Sequence, residues 1–261
     1  MIKTTIEDGI ATVVLARPER KNALNAAMFA ELGDIVDALR RDTSVKALLL
    51  TGEGDDFCAG ADVSSMQTAT DAADVHARML ENQRPCHAFA SFERPVIAAV
   101  DGVAYGAGFS LALMADFVLA SERARFSLAF ARIGLVPDLG MVHMLPRMIG
   151  IQRARELIYS ARELPAAEAQ ALGLVLDVCP PAELRARALE LARALASQSA
   201  VGFALTKRLL AHSFERSLTS LLDAEAGAQA VAFTSAYVME SAARFIRKEP
   251  ARFSWPPFAA K

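Results

Sequence analysis

The chain has 261 residues, 53% hydrophobic and 22% charged, with Lys+Arg 28 against Asp+Glu 30 and a net charge of -2. That length supports one large core, or one core with a small appendage. The balance excludes a disordered or polybasic chain and gives no nucleic-acid footprint.

Cys58, Cys86 and Cys179 lie far apart with no CxxC pair, and so read as reduced thiols rather than a disulfide frame. The opening MIKTTIEDGI reads as a strand and a turn, with no secretory signal. The longest uncharged apolar stretch, Gly102 to Ala115, is shorter than the ~18 residues of a spanning helix. A cytoplasmic protein with no membrane partner is expected.

In chain order, Ile2–Ile6 and Ala11–Leu15 flank Asp8-Gly9, a hairpin signal. Ala26–Arg41 carries Met28, Phe29, Leu32, Ile35, Val36 and Leu39 at helical spacing. Lys46–Thr51 and Pro95–Val100 read as fully buried strands, with one helix, Asp71–Phe92, between them. Asp116–Ala120 and Ala124–Ser127 are expected as short strands. This alternation implies a parallel sheet with helical crossovers. Helices are then expected over Gln152–Ser160, Ala166–Leu172, Ala182–Ser197, Gly202–Ala211, Ser217–Met239 and Ser241–Arg247. The layout is a sheet-containing core over 1–200 and a helical region over 201–261. That region either packs against another subunit or folds back on its own core.

Two events stand out. KALLLT runs into GEGDDFCAGAD (Gly52–Asp62), and PVIAAV runs into DGVAYGAGFSLALMAD (Asp101–Asp116). Small residues let a ligand approach the backbone, and helix N-termini offer unpaired N–H donors. Two such loops on adjacent strands can aim two N–H groups at one oxygen, an oxyanion hole. The same glycines also serve tight turns and close helix packing.

FCAGADV (Phe57–Val63) and PVIAAVDGVAYGAGFSLALMADFVLASERARFS (Pro95–Ser127) resemble the crotonase superfamily, the enoyl-CoA hydratase/isomerase family. RPERKNALN (Arg17–Asn25), IGLVPDLG (Ile133–Gly140) and AAEAQALGLV (Ala166–Val175) extend the likeness in order along nearly the whole chain. The resemblance implies an α/β fold: a crotonase-like spiral of ββα turns with a helical C-terminal trimerisation region. It implies a homotrimer or a hexamer built as a dimer of trimers. It also implies an acyl-coenzyme A thioester substrate and no cofactor beyond that coenzyme A. By the same resemblance, the N–H groups of Ala61 and Ala107 are the oxyanion donors. Lys21, Ala23, Leu24, Ala59, Asp62 and Val63 lie along the coenzyme A moiety. Phe245 and Lys248 come from a neighbouring subunit.

Hydratases of the family use two glutamates, whose places here are taken by Ser110 and Phe130. Neither side chain can activate a water in that role. Asp138, in the turn IGLVPDLG, stands where several isomerases of the superfamily carry their acid/base. Double-bond isomerisation, which needs one carboxylate, is therefore expected over hydration. Taken alone, Asp138 also suits a turn or a cap on a helix beginning near Met141.

Thioester hydrolysis is a lesser alternative, because Gly108–Ala112 approaches a nucleophile elbow, with Asp138 and His143 following in order. The elbow serine, however, belongs on the turn directly after a strand. A non-catalytic acyl-coenzyme A scaffold is the rival from another class. Tyr105 is placed in the acyl pocket wall or the core. His76, His87, His143 and His212 show no metal-ligand spacing.

Overall fold

The computed structural model describes residues 1–64 and 71–258. Strands β1 (Ile2–Glu7) and β2 (Ile10–Leu15) form the expected hairpin, pairing Glu7 with Ile10. Asp8 and Gly9 both take positive φ, 51° and 79°, which is what a tight two-residue hairpin turn requires. Helix α1 (Ala26–Arg41) crosses to β3 (Ala47–Gly52). Its N-terminus is capped by the Asn25 side chain, which accepts from Met28 N at 2.9 Å.

The single helix expected over Asp71–Phe92 is two, α2 (Ala72–Asn82) and α3 (Arg84–Ala90). Pro85 has no N–H and its ring crowds the preceding turn, so the ladder stops at Gln83. Strands β4 (Val96–Val100) and β5 (Val103–Tyr105) lead into α4 (Ala107–Leu113), then β6 (Phe117–Ser121) and β7 (Arg125–Ser127). Next come α5 (Met141–Ile149), α6 (Ile151–Ser160), β8 (Leu164–Pro165), α7 (Ala166–Ala171), β9 (Asp177–Cys179) and α8 (Pro181–Ala196). The chain ends in α9 (Ala200–Ala211), α10 (Leu218–Phe233) and α11 (Ala236–Ile246). The break between the last two falls at Thr234–Ser235 and not near residue 240, because the Ser235 hydroxyl accepts from Val238 N.

One sheet has the order β1-β2-β3-β4-β6-β9, parallel from β2 onward, and a second has the order β5-β7-β8. Successive turns of the chain lay one strand in each sheet, β4 then β5 and β6 then β7, which is the expected ββα spiral. Alternate residues of the large sheet face opposite sides. Leu48, Leu50, Ala98 and Val100 join the main core with α1 and α4, whereas Leu49, Ile97 and Leu119 pack under α8. Because β3 and β4 are parallel, their following loops leave the same edge of the sheet.

Helix α9 is tied to the core through Lys207, whose Nζ lies 2.7 Å from Asp116 Oδ2; that oxygen also accepts Val96 N at 2.8 Å. Helix α10 packs on α9 and α11, and none of the three buries a residue. Phe214, Leu218, Phe233, Phe245 and Ile246 stand exposed along them. No helix among the described residues is long and apolar enough to cross a membrane.

One buried side chain joins the loop before α1 to the loop after β3. Asn22 is fully buried at a φ of 55°. Its Oδ1 accepts Arg17 N at 2.9 Å, and its Nδ2 donates to Glu53 O at 3.0 Å and Asp56 O at 2.6 Å. Asn22→Ala leaves these backbone groups unpaired inside the protein. It should lower the unfolding free energy by about 2–3 kcal/mol. Urea unfolding at fixed protein concentration should show an earlier midpoint with an unchanged slope.

Candidate active site

The segment following β3 lies against β5 and α4. Phe57 N donates to Asp101 O at 2.7 Å, Cys58 N to Val103 O at 2.9 Å, and Tyr105 N to Cys58 O at 3.0 Å. On its other side, Leu24 N donates to Gly60 O and Asp62 N to Leu24 O, both at 2.8 Å. These two bonds skip Ala61, whose N–H points away from Leu24. Ala107 opens α4, so its N–H is one of the orphan donors of a helix start. Among the described residues neither N–H has a protein acceptor. They border one space: a Cβ placed on Gly60 would stand 3.6 Å from Ala107 N and 2.8 Å from Tyr105 O. Gly60 also takes a φ of 104°, which an L side chain resists.

Phe130 lies beside Gly106, the residue before Ala107, its Cζ 3.7 Å from where a Cβ on Gly106 would lie. Eight residues on, the turn into α5 carries Asp138. The carboxylate does not cap that helix. Gly140 holds the cap position with no side-chain bond, and Met141 N donates instead to the Asp138 backbone carbonyl at 3.0 Å. Asp138 Oδ1 is shut off from solvent and has no hydrogen-bond partner among the described residues. Burial pushes the carboxyl up to about 6. Cys86, on α3, lies near enough to feel the Asp138 charge; its thiol is pushed up to about 12, by burial first and that charge second. Sequence reasoning passed over Cys86 because an isolated half-buried cysteine on a helix carries no pattern.

Ser110 is fully buried in the first turn of α4, well past the end of a strand, so it is no nucleophile elbow. Its Oγ lies 3.3 Å from Gly106 O and 3.2 Å from Asp138 O. The Tyr105 hydroxyl donates to Glu163, and burial followed by that carboxylate pushes the phenol up to about 12.

Lys21, Ala23, Leu24, Ala59, Asp62 and Val63 lie together on the two loops along this rim. Ala59 N donates to Lys21 O at 2.9 Å, Lys21 Nζ lies 3.5 Å from Asp56, and Val63 is exposed. Asp62 accepts Ser64 Oγ and Arg17 Nη1, each at 2.7 Å. These hydrogen bonds, Ser64 foremost, hold its carboxyl down at about 2. Phe245 and Lys248 stand apart on α11 and just beyond it, with no hydrogen bond or ion pair to the rim among the described residues. No group of three or more His, Cys, Asp or Glu among the described residues has the arrangement of a metal site.

The enoyl-CoA hydratase/isomerase family model matches residues 5–255. The chain belongs to that family. It is 36% identical over 256 residues to the 1,2-epoxyphenylacetyl-CoA isomerase of Escherichia coli K12, covering 97% of this chain and 98% of that protein. It is also 33% identical to the crotonyl-CoA hydratase of Syntrophomonas wolfei, covering 95% of each. A crystal structure of an enoyl-CoA hydratase/isomerase from Cupriavidus metallidurans CH34 superposes with a TM-score of 0.94 at 37% identity, over 99% of this chain and 98% of that one. The protein is thus an acyl-coenzyme A enzyme of the hydratase/isomerase family with the crotonase fold.

The raised Asp138 carboxyl has a consequence for stability in this enoyl-CoA hydratase/isomerase family member. Its folded pKa of about 6 lies above the ordinary carboxylate value of about 4. Folding therefore favours the protonated form, and that contribution is complete below about pH 4 and lost as pH rises through about 6. Asp138→Asn should be more stable than wild type at pH 7.5 by about 1–2 kcal/mol, allowing for partial solvent contact. Thermal unfolding at pH 7.5 and pH 4 should show the gap closing at the lower pH.

Proposed function

We propose that the protein is an enoyl-coenzyme A double-bond isomerase with Asp138 as its single acid/base and the N–H groups of Ala61 and Ala107 as its oxyanion hole. The observation that carries this reading is a shielded, unpartnered carboxylate oxygen on Asp138, in a fold where two unpaired N–H groups border one space. Asp138 removes a proton α to the thioester. The two donors hold the oxygen of the resulting dienolate, each contributing ~3 kcal/mol. The same carboxyl then returns the proton two carbons further along, so the double bond moves with no net gain or loss of atoms. A carboxyl titrating at about 6 suits both steps near neutral pH.

Ser110 and Phe130, where family hydratases place glutamates, support this reading over hydration. The Ser110 hydroxyl faces two backbone carbonyls, Gly106 O and Asp138 O, to one of which its single proton is donated, and Phe130 supplies an apolar wall. The relatives' names include both an isomerase, of 1,2-epoxyphenylacetyl-CoA, and hydratases, so the reading rests on the residues of the site. The coenzyme A moiety lies along Lys21, Ala23, Leu24, Ala59, Asp62 and Val63, with Tyr105 on the acyl side. The exposed apolar side chains of α9–α11 support assembly as a homotrimer or a dimer of trimers, in which Phe245 and Lys248 reach a neighbour's site. The enzyme is placed in the cytoplasm.

Wild type mixed with a 3-enoyl-CoA should produce the absorbance of the conjugated 2-enoyl thioester. Asp138→Asn should lower that rate by ~10³-fold or more. Wild-type kcat/KM should fall tenfold per pH unit below about pH 6, as the base becomes protonated. Consumption of crotonyl-CoA that survives Asp138→Asn would contradict the proposal and restore hydration.

A further inference from the structure

The turn that carries Asp138 has few ties of its own. Residues 131–136 are exposed, the backbone bonds at the entry are local, Leu135 N to Phe130 O and Gly134 N to Ala131 O, and ahead of the turn Arg132 Nη2 donates to Ala161 O at 2.7 Å. At its exit, Leu139 takes a φ of 51°, a left-handed conformation that a leucine resists, while its side chain is buried. Among the described residues, one hydrogen bond joins residues 134–140 to α4, the helix whose first N–H belongs to Ala107. That bond runs from Ser110 Oγ to the Asp138 carbonyl oxygen, at 3.2 Å. Gly106 O, the other oxygen within reach of the hydroxyl, lies slightly farther off at 3.3 Å; each of the two oxygens also accepts a backbone N–H at 3.0 Å, Gly106 O from Ser110 and Asp138 O from Met141.

We infer that Ser110 is a positioning residue that fixes Asp138 relative to the oxyanion donor Ala107, with Leu139 as the buried anchor on the far side of the same turn. Ser110 lies three residues after Ala107 in α4, so its hydroxyl spans the distance between donor and base through one rigid helical turn. The inference rests on the reading of Asp138 as the acid/base. It adds that Ser110, at the place of one of the family's glutamates, works on the backbone of the base and never touches substrate. Misplacement of a reacting group by about 1 Å costs ~10²-fold in rate. A carboxyl released from its apolar seat also regains water and titrates nearer the ordinary carboxylate range.

The test measures exchange of the α-protons of butyryl-CoA in D2O by NMR, because exchange needs the base and the oxyanion hole but no particular double bond. Wild type, Asp138→Asn, Ser110→Ala and Ser110→Cys are compared as full-length proteins, each with its melting temperature. Asp138→Asn should be inactive. Ser110→Ala should lose ~10- to 100-fold in kcat with KM within about twofold, and the acid limb of its pH profile should move down by about one unit. Ser110→Cys, similar in shape but a weak donor, should fall between Ala and wild type. Wild-type kcat and acid limb in Ser110→Ala, with Asp138→Asn inactive, would overturn the positioning role alone. A loss in Ser110→Ala that raises KM and lowers the melting temperature, with the acid limb unmoved, would also overturn it, leaving Ser110 as packing. Exchange that persists in Asp138→Asn, or is absent in wild type, would remove the base assignment and this inference with it.

Discussion

The site region depends on a close approach between the Cys58 backbone and the start of α4. A Cβ on Gly108 would lie 2.2 Å from Cys58 O, so the two segments touch only because that position has no side chain. This contact presses the loop after β3 onto the loop after β4. It lets Tyr105 N reach Cys58 O, and it leaves the N–H groups of Ala61 and Ala107 bordering one space with no acceptor among the described residues. Even an alanine at 108 would part the loops. The parallel pairing of β3 with β4 is the prior condition, since it delivers both loops to one edge.

Around this pair the fold departs from local preference at several positions. Lys21, Asn22 and Leu139 hold left-handed backbone, and Asp138 keeps a shielded oxygen without a partner. Such departures persist where the surrounding packing over-determines them, and they concentrate at sites of function. Here the surroundings are the fully buried Asn22 network on one side and the buried Leu139 side chain on the other. The raised carboxyl follows from the same packing: a carboxyl largely withdrawn from solvent, with one oxygen unpartnered, holds its proton at higher pH.

Much of the scaffold was legible in the sequence because its signals are local. Asp8-Gly9 announced the hairpin, buried apolar runs announced β3 and β4, and the motifs along the chain pointed to the family. Strands β5, β8 and β9 have two or three residues each, too short for any alternation to show, and they exist through pairing with distant segments. The signals for the α2–α3 and α10–α11 breaks were present, a proline at 85 and a serine cap at 235, but the apolar spacing around them masked both. At the site, Pro-Asp-x-Gly reads identically whether the carboxylate caps a helix or stands free. Only the three-dimensional placement of Gly140 and Met141 decides between them. The link from Ser110 to the Asp138 carbonyl and the approach of Cys86 join distant parts of the chain, and no periodicity records them.

The most direct test of the central claim is a crystal structure of the protein with a bound 2-enoyl-CoA. The account predicts the thioester oxygen about 2.7–3.1 Å from both Ala61 N and Ala107 N, with an Asp138 carboxylate oxygen facing the C2–C4 stretch of the acyl chain. A thioester oxygen bound elsewhere, or an Asp138 carboxylate turned away from those carbons, would contradict it.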